Sequence, residues 1–232
     1  MTASGRSTTS LRVRLALVAV TAILLSTAGQ TAEPDLQDSV ERVLTEEGLV
    51  GIGWAMVEGP GEIRTGAAGL SDVRSGAAFA ADTRFHVGSL TKTLLATGLL
   101  RLVTEGRIDL EAPAQGYLAD LPFDNPWEGV ADVTVRHLLD HTSGLADAHL
   151  WQIFSERPEP DMPLAAAFPD PPLQLEIRSQ PGTRFSYSNM GYTLLGAIIE
   201  SVVGERYEAY LDEFVLGPLG MHDSTFAFTT QE

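Results

Sequence analysis

The sequence contains no cysteine, and Lys92 is its only lysine; the other fourteen basic residues are arginines. Without cysteine there is no disulfide, no lipid-attachment thiol and no thiol nucleophile. Basic residues are scarce overall, 15 against 31 acidic, which gives a net charge of −16 over 232 residues. The first 32 residues hold three of the arginines (Arg6, Arg12, Arg14) and no acid, so the rest of the chain carries 12 basic and 31 acidic residues. Such a surface repels nucleic acid and anionic lipid and argues against either as a partner. Long apolar runs are lacking too. "LALVAVTAILL" (Leu15–Leu25) has eleven residues, short of the ~20 that span a bilayer. It follows the basic "MTASGRSTTSLRVR" and precedes the small residues "STA" (Ser26–Ala28). That order reads as a secretory signal peptide over residues 1–28, with the mature domain running from about residue 33 to 232. The expected location is secreted or extracytoplasmic, in the cell envelope. An N-terminal membrane anchor is the competing reading of the same stretch.

What is present suits a packed domain. Hydrophobic residues make up 44% of the chain, enough for a core. Leu36, Val40, Val43 and Leu44 recur at helical spacing before Gly48, predicting a helix. "LVGIGWAMVEG" and "EIRTGAAGL" flank "GPG" (Gly59–Gly61), a β-hairpin signal. "RFHVG" (Arg84–Gly88) reads as a short strand leading into "SLTKTLLATGLLRLVTEG", where Leu95, Leu99, Leu102 and Val103 line one helical face. "VTVRHLLDHTSG" predicts a short helix stopped by Gly144, and two more helices follow in "MGYTLLGAIIESVVG" and "RYEAYLDEFVLGPLG". Between them, residues 158–172 hold six of the thirteen prolines, which makes a loop rather than regular structure.

The lone lysine poses a chemical question. Arginine cannot deprotonate in a protein, whereas a desolvated lysine can become neutral and accept a proton. Lys92 lies three residues after Ser89, and three residues on a helix bring side chains to one face. A serine hydroxyl is a weak nucleophile until a neighbour removes its proton. A serine at a helix start also brings its own amide N–H close to the reacting carbon, a candidate oxyanion donor. An ordinary helix cap followed by a surface lysine reads from the same residues. A second candidate group is "FSYSNMGY" (Phe185–Tyr192), where Tyr187 and Asn189 lie two apart and face one side if the segment is extended. A phenol beside a cation can relay protons, and an amide can orient both a lysine and a substrate carbonyl. A turn and helix cap would read from these residues as well.

Taken in order, "GSLTK", "LLDHTSGL" (Leu138–Leu145) and "PGTRFSYSNMGYTLLGAIIE" resemble the serine β-lactamase/penicillin-binding superfamily, in particular its class C β-lactamase, DD-peptidase and esterase branch. The likeness runs from about residue 38 to 228. It implies an α/β (α+β) transpeptidase-like fold: a helical lobe plus an antiparallel sheet, of which the N-terminal hairpin supplies only part. It also implies roles. Ser89 would be the acylated nucleophile, Lys92 the base or proton relay, and Tyr187 a proton-transfer group for leaving-group departure and deacylation. Asn189 would position Lys92 and bind the substrate amide. The "HTSG" box (His141–Gly144) would be architectural. Substrates would be small molecules or peptides, such as β-lactams, D-alanyl peptides or esters, with no metal or organic cofactor.

The departure from the pattern is the third family motif, Lys-Thr-Gly or His-x-Gly on a strand beside the active site. The only His-x-Gly spelling, His86–Gly88, lies within the first motif. The expectation is therefore a C-terminally truncated hydrolase, weakly active or inactive by itself. A secreted penicillin-recognising or non-catalytic domain on the same fold is the alternative. Two rival chemistries start from the histidines. "HLLDH" puts His137 and His141 at i, i+4, a zinc-like spacing without an obvious third ligand. A Ser-His-Asp hydrolase would use one of the five histidines, but no serine lies in a Gly-x-Ser-x-Gly elbow.

Overall fold

The computed structural model describes residues 35–149, 162–168 and 175–227. The leader and most of the proline-rich loop lie outside the described residues. The chain forms two compact units, one ending at Thr83 and the other beginning at Arg84.

In the first unit, helix α1 spans Leu36–Glu46, as its apolar spacing predicts. Strands β1 (Gly51–Gly59) and β2 (Glu62–Asp72) pair antiparallel, with Gly51 opposite Gly69 and Val57 opposite Ile63. Gly61 turns the hairpin at φ 81°, a left-handed conformation that glycine adopts without Cβ strain. A two-residue strand β3 (Ala77–Ala78), absent from the sequence reading, adds to β2 and makes a three-stranded sheet. Gln37 ties α1 to the hairpin. Its Oε1 accepts the Trp54 indole N–H at 3.0 Å and its Nε2 donates to Ala67 O at 3.0 Å.

The second unit is mainly helical. Residues 84–88 do not form the short strand expected. They lead instead directly into a 3₁₀ segment, Gly88–Leu90. Helix α2 (Thr91–Thr104) continues from it and buries Leu95, Gly98, Leu99 and Leu102. Two short strands, β4 (Phe123–Asp124) and β5 (Leu175–Glu176), form a minimal parallel pair in the lobe. Helix α3 (Val135–Leu139) ends well before Gly144, because His141 adopts φ 60° and leaves the helical path. Helix α4 (Asn189–Val203) is capped by the Ser188 hydroxyl, which accepts from Gly191 N at 3.1 Å, and ends on Gly204 at φ 78°. The last predicted helix is instead α5 (Tyr207–Leu211) running into a π turn over Asp212–Leu216.

Leu194, Leu195, Ile198 and Ile199 of α4 are fully buried, as are Leu99 and Leu102 of α2 and Leu211 of α5. They belong to one apolar core. Burying such side chains stabilises by about 1.5–3 kcal/mol each. Gly98 lets α2 approach α5 closely. A Cβ there would fall inside the contact radius of Leu211 Cδ2, and the Gly98 carbonyl accepts the Tyr210 hydroxyl at 3.1 Å. Gly98→Ala should therefore destabilise the lobe by about 1–3 kcal/mol through overpacking. Thermal unfolding followed by circular dichroism measures this; an unchanged midpoint would show that the helices part at no cost.

Candidate active site

Four side chains singled out in the sequence converge in the second unit. Ser89 sits in the 3₁₀ segment and Lys92 in the first turn of α2, so the turn continues into the helix and keeps them together. Lys92 Nζ lies 3.3 Å from Ser89 Oγ. Tyr187 and Asn189 arrive from the segment entering α4. They are not both extended: Ser188 is the N-cap and Asn189 is already helical. Tyr187 Oη lies 2.7 Å from Ser89 Oγ, and either oxygen can donate. Lys92 Nζ donates to Asn189 Oδ1 at 2.9 Å. The lysine head also lies 5.1 Å from the centre of the Tyr187 ring and 5.5 Å from that of Tyr192, a range in which a ring face attracts a cation.

The electrostatics bear on proton transfer. The Lys92 ammonium, and after it the Ser89 hydroxyl, lower the Tyr187 pKa from its ordinary value, because both stabilise the phenolate. Burial pushes the Tyr192 phenol up, with the Tyr187 charge adding to it. The arrangement places two groups in reach of the Ser89 hydroxyl proton and an amide acceptor against the lysine head. Beside Lys92 and Asn189 lies a cavity of about 460 Å³, lined by Thr91, Leu95, Met190, Gly196 and Tyr207 among others.

Two residues take a larger part than the sequence suggested. His141, read as architectural, stacks against Tyr187 with ring centroids 4.4 Å apart and against Tyr192 at 5.1 Å. Its Nδ1 accepts the Ser188 backbone N–H at 3.2 Å and its carbonyl accepts Ser186 N at 2.7 Å. Burial, and then the Lys92 charge, lower the His141 pKa, which favours the neutral ring that this acceptor role requires. Asp147 was missed altogether. Its Oδ1 accepts the Asn189 backbone N–H at 2.5 Å and its Oδ2 accepts the Asn189 side-chain Nδ2 at 3.2 Å. Forty-two residues separate the pair, so no local spacing could have disclosed it.

The zinc-like pair does not stay on one helical face. His137 lies in α3, where its Nδ1 accepts the Thr134 backbone N–H at 3.2 Å, while His141 lies beyond the helix end. Among the described residues no group of three or more histidines and acids is placed to hold a metal ion. Nor is any described helix long and apolar enough to cross a membrane.

The β-lactamase family profile matches residues 36–232. The chain belongs to the β-lactamase family. It is 32% identical over 201 residues to the esterase EstB of Burkholderia gladioli, covering 83% of this chain and 51% of that one. Among solved structures it is similar to the D-amino acid amidase of Ochrobactrum anthropi SV3 (TM-score 0.62, 27% identity, 80% of this chain and 50% of that one). It also resembles an octameric penicillin-binding protein homologue from Pyrococcus abyssi (TM-score 0.64, 28% identity, 81% of this chain and 43% of that one). The fold is that of the serine β-lactamases and penicillin-binding proteins, with helices and a small antiparallel sheet. The chain spans about half the length of the curated relatives it matches.

Proposed function

We propose that this chain carries the acylation machinery of a serine hydrolase acting on an amide or ester bond. One observation carries the reading: Ser89 Oγ is hydrogen-bonded both to Tyr187 and to the only lysine, whose head is held by Asn189. Family membership and the likeness to an esterase and an amidase support the reaction type.

In this reading Ser89 Oγ attacks the carbonyl carbon while Lys92, or Tyr187 in exchange with it, takes the hydroxyl proton. The Ser89 N–H serves as a donor to the developing oxyanion. The C–N or C–O bond then breaks, and Tyr187 returns the proton to the leaving nitrogen or oxygen. Asn189 keeps Lys92 aimed at Ser89 and offers its amide to the substrate. Water deacylates Ser89 by the reverse proton path. The basic leader and the eleven-residue apolar stretch support export to the cell envelope.

Intact mass after incubation with a fluorophosphonate and, separately, a penicillin tests the proposal. A single adduct is expected on the parent chain and none on Ser89→Ala, with circular dichroism confirming that both are folded. An adduct that survives in Ser89→Ala, or a folded parent that takes none, would overturn the assignment of the nucleophile. A penicillin adduct that forms and never hydrolyses would favour a recognition domain over a turnover enzyme.

A further inference from the structure

We infer that Asp147 is a positioning residue that sets which way the Asn189 amide points, and through it where Lys92 is held. The inference rests on the proposed roles of Ser89 and Lys92 but is tested separately from them. An asparagine side chain has one acceptor and one donor end. In Asn189 the Oδ1 end faces Lys92 at 2.9 Å and the Nδ2 end faces Asp147 Oδ2 at 3.2 Å. A carboxylate only accepts, so Asp147 can face only the NH₂ end. The oxygen is thereby turned to the lysine. Asp147 is itself pinned. Its Oδ1 accepts two backbone N–H groups, Asn189 at 2.5 Å and Ala148 at 2.8 Å, which leaves Oδ2 for the amide.

Asp147 is exposed, so each bond is worth little in stability. Its weight lies in orientation, and this separates two substitutions. In Asp147→Asn the two backbone N–H groups hold the new oxygen, so the new NH₂ confronts the Asn189 NH₂. Asn189 must then turn its oxygen to residue 147 and its NH₂ to the lysine, whose ammonium form has no acceptor for it. In Asp147→Ala all three side-chain bonds go, and the Lys92 ammonium alone is left to turn the Asn189 amide. A purely structural aspartate predicts the opposite order, with the isosteric asparagine the milder change.

The test compares parent, Asp147→Asn and Asp147→Ala in the full chain. Stability is read by thermal unfolding and acylation by the rate of fluorophosphonate labelling. Asp147→Asn should label about tenfold more slowly than the parent while unfolding near the parent temperature. Asp147→Ala should unfold earlier yet label faster than Asp147→Asn. Because Lys92 is the only lysine, a chain grown on ¹³C,¹⁵N-lysine gives one side-chain lysine signal, which reads the orientation without any reaction. That signal should be displaced more in Asp147→Asn than in Asp147→Ala. Labelling that falls in step with stability, or a lysine signal that Asp147→Asn leaves in place, would overturn the inference. A parent that takes no label while the lysine signal follows the expected order would overturn the proposed nucleophile and leave Asp147 as the residue that orients Asn189.

Discussion

Lys92→Arg should lower the rate of Ser89 labelling by about 10³-fold. The substitution keeps the positive charge, so a role as a mere counter-charge predicts little effect. Three features make arginine unfit. It does not deprotonate, so it cannot take the Ser89 proton. Its planar fork cannot occupy one point 3.3 Å from Ser89 Oγ and 2.9 Å from Asn189 Oδ1 as the lysine head does. Its greater length would also crowd the Tyr187 and Tyr192 rings, which lie 5.1 and 5.5 Å from Nζ. The measurement is the second-order rate of fluorophosphonate labelling by mass, with circular dichroism as the control for folding. Ordinary labelling by a folded Lys92→Arg chain would sink the role of base.

The second large effect is expected at Tyr187. Tyr187→Phe should lower turnover of an activated ester by about 10²-fold, with deacylation slowed at least as much as acylation, so that adduct accumulates. Only the hydroxyl is removed, and the ring keeps its stack on His141, so the fold should be untouched. The phenol lies 2.7 Å from Ser89 Oγ, and the neighbouring ammonium lowers its pKa. Its phenolate therefore forms at lower pH than that of a free tyrosine, and a rate that depends on it rises on the alkaline side before ordinary tyrosine titrates. In contrast, burial raises the pKa of Tyr192 and of Tyr210, and carries Tyr207 to about 12. An ultraviolet phenolate titration should lose its low-pH component in Tyr187→Phe, together with the alkaline rise in rate. If both persist, the proton path does not run through Tyr187.

Much of this was legible because it is local. A 3.6-residue period marked α1, α2 and α4, since one face of each helix must be apolar. A glycine turn between two strand-like runs marked the hairpin. Ser89 and Lys92 could be paired because three helical residues fix their separation, and because chemistry explains why one lysine stands among arginines. Tyr187 and Asn189 were singled out, but their meeting with Ser89 and Lys92 spans 98 and 97 residues and was inferred from likeness rather than spacing. Where local signals were read beyond their range they failed. Residues 84–88 have the composition of a strand but run instead into the 3₁₀ segment that carries Ser89. The helix expected to end at Gly144 ends at Leu139 because His141 turns out to meet Ser186, Ser188 and Tyr187.

By itself the sequence determined the reacting groups available, the acidic surface, the absence of thiol chemistry and the order of the main helices. Each of these depends on residue type or on neighbours a few positions away. Only the tertiary structure decided that Asp147 faces Asn189, that His141 backs Tyr187 and that Gly98 lets two helices meet. Those relations join residues dozens of positions apart. They are set by how the elements that carry them come together, which leaves no periodic trace in the chain.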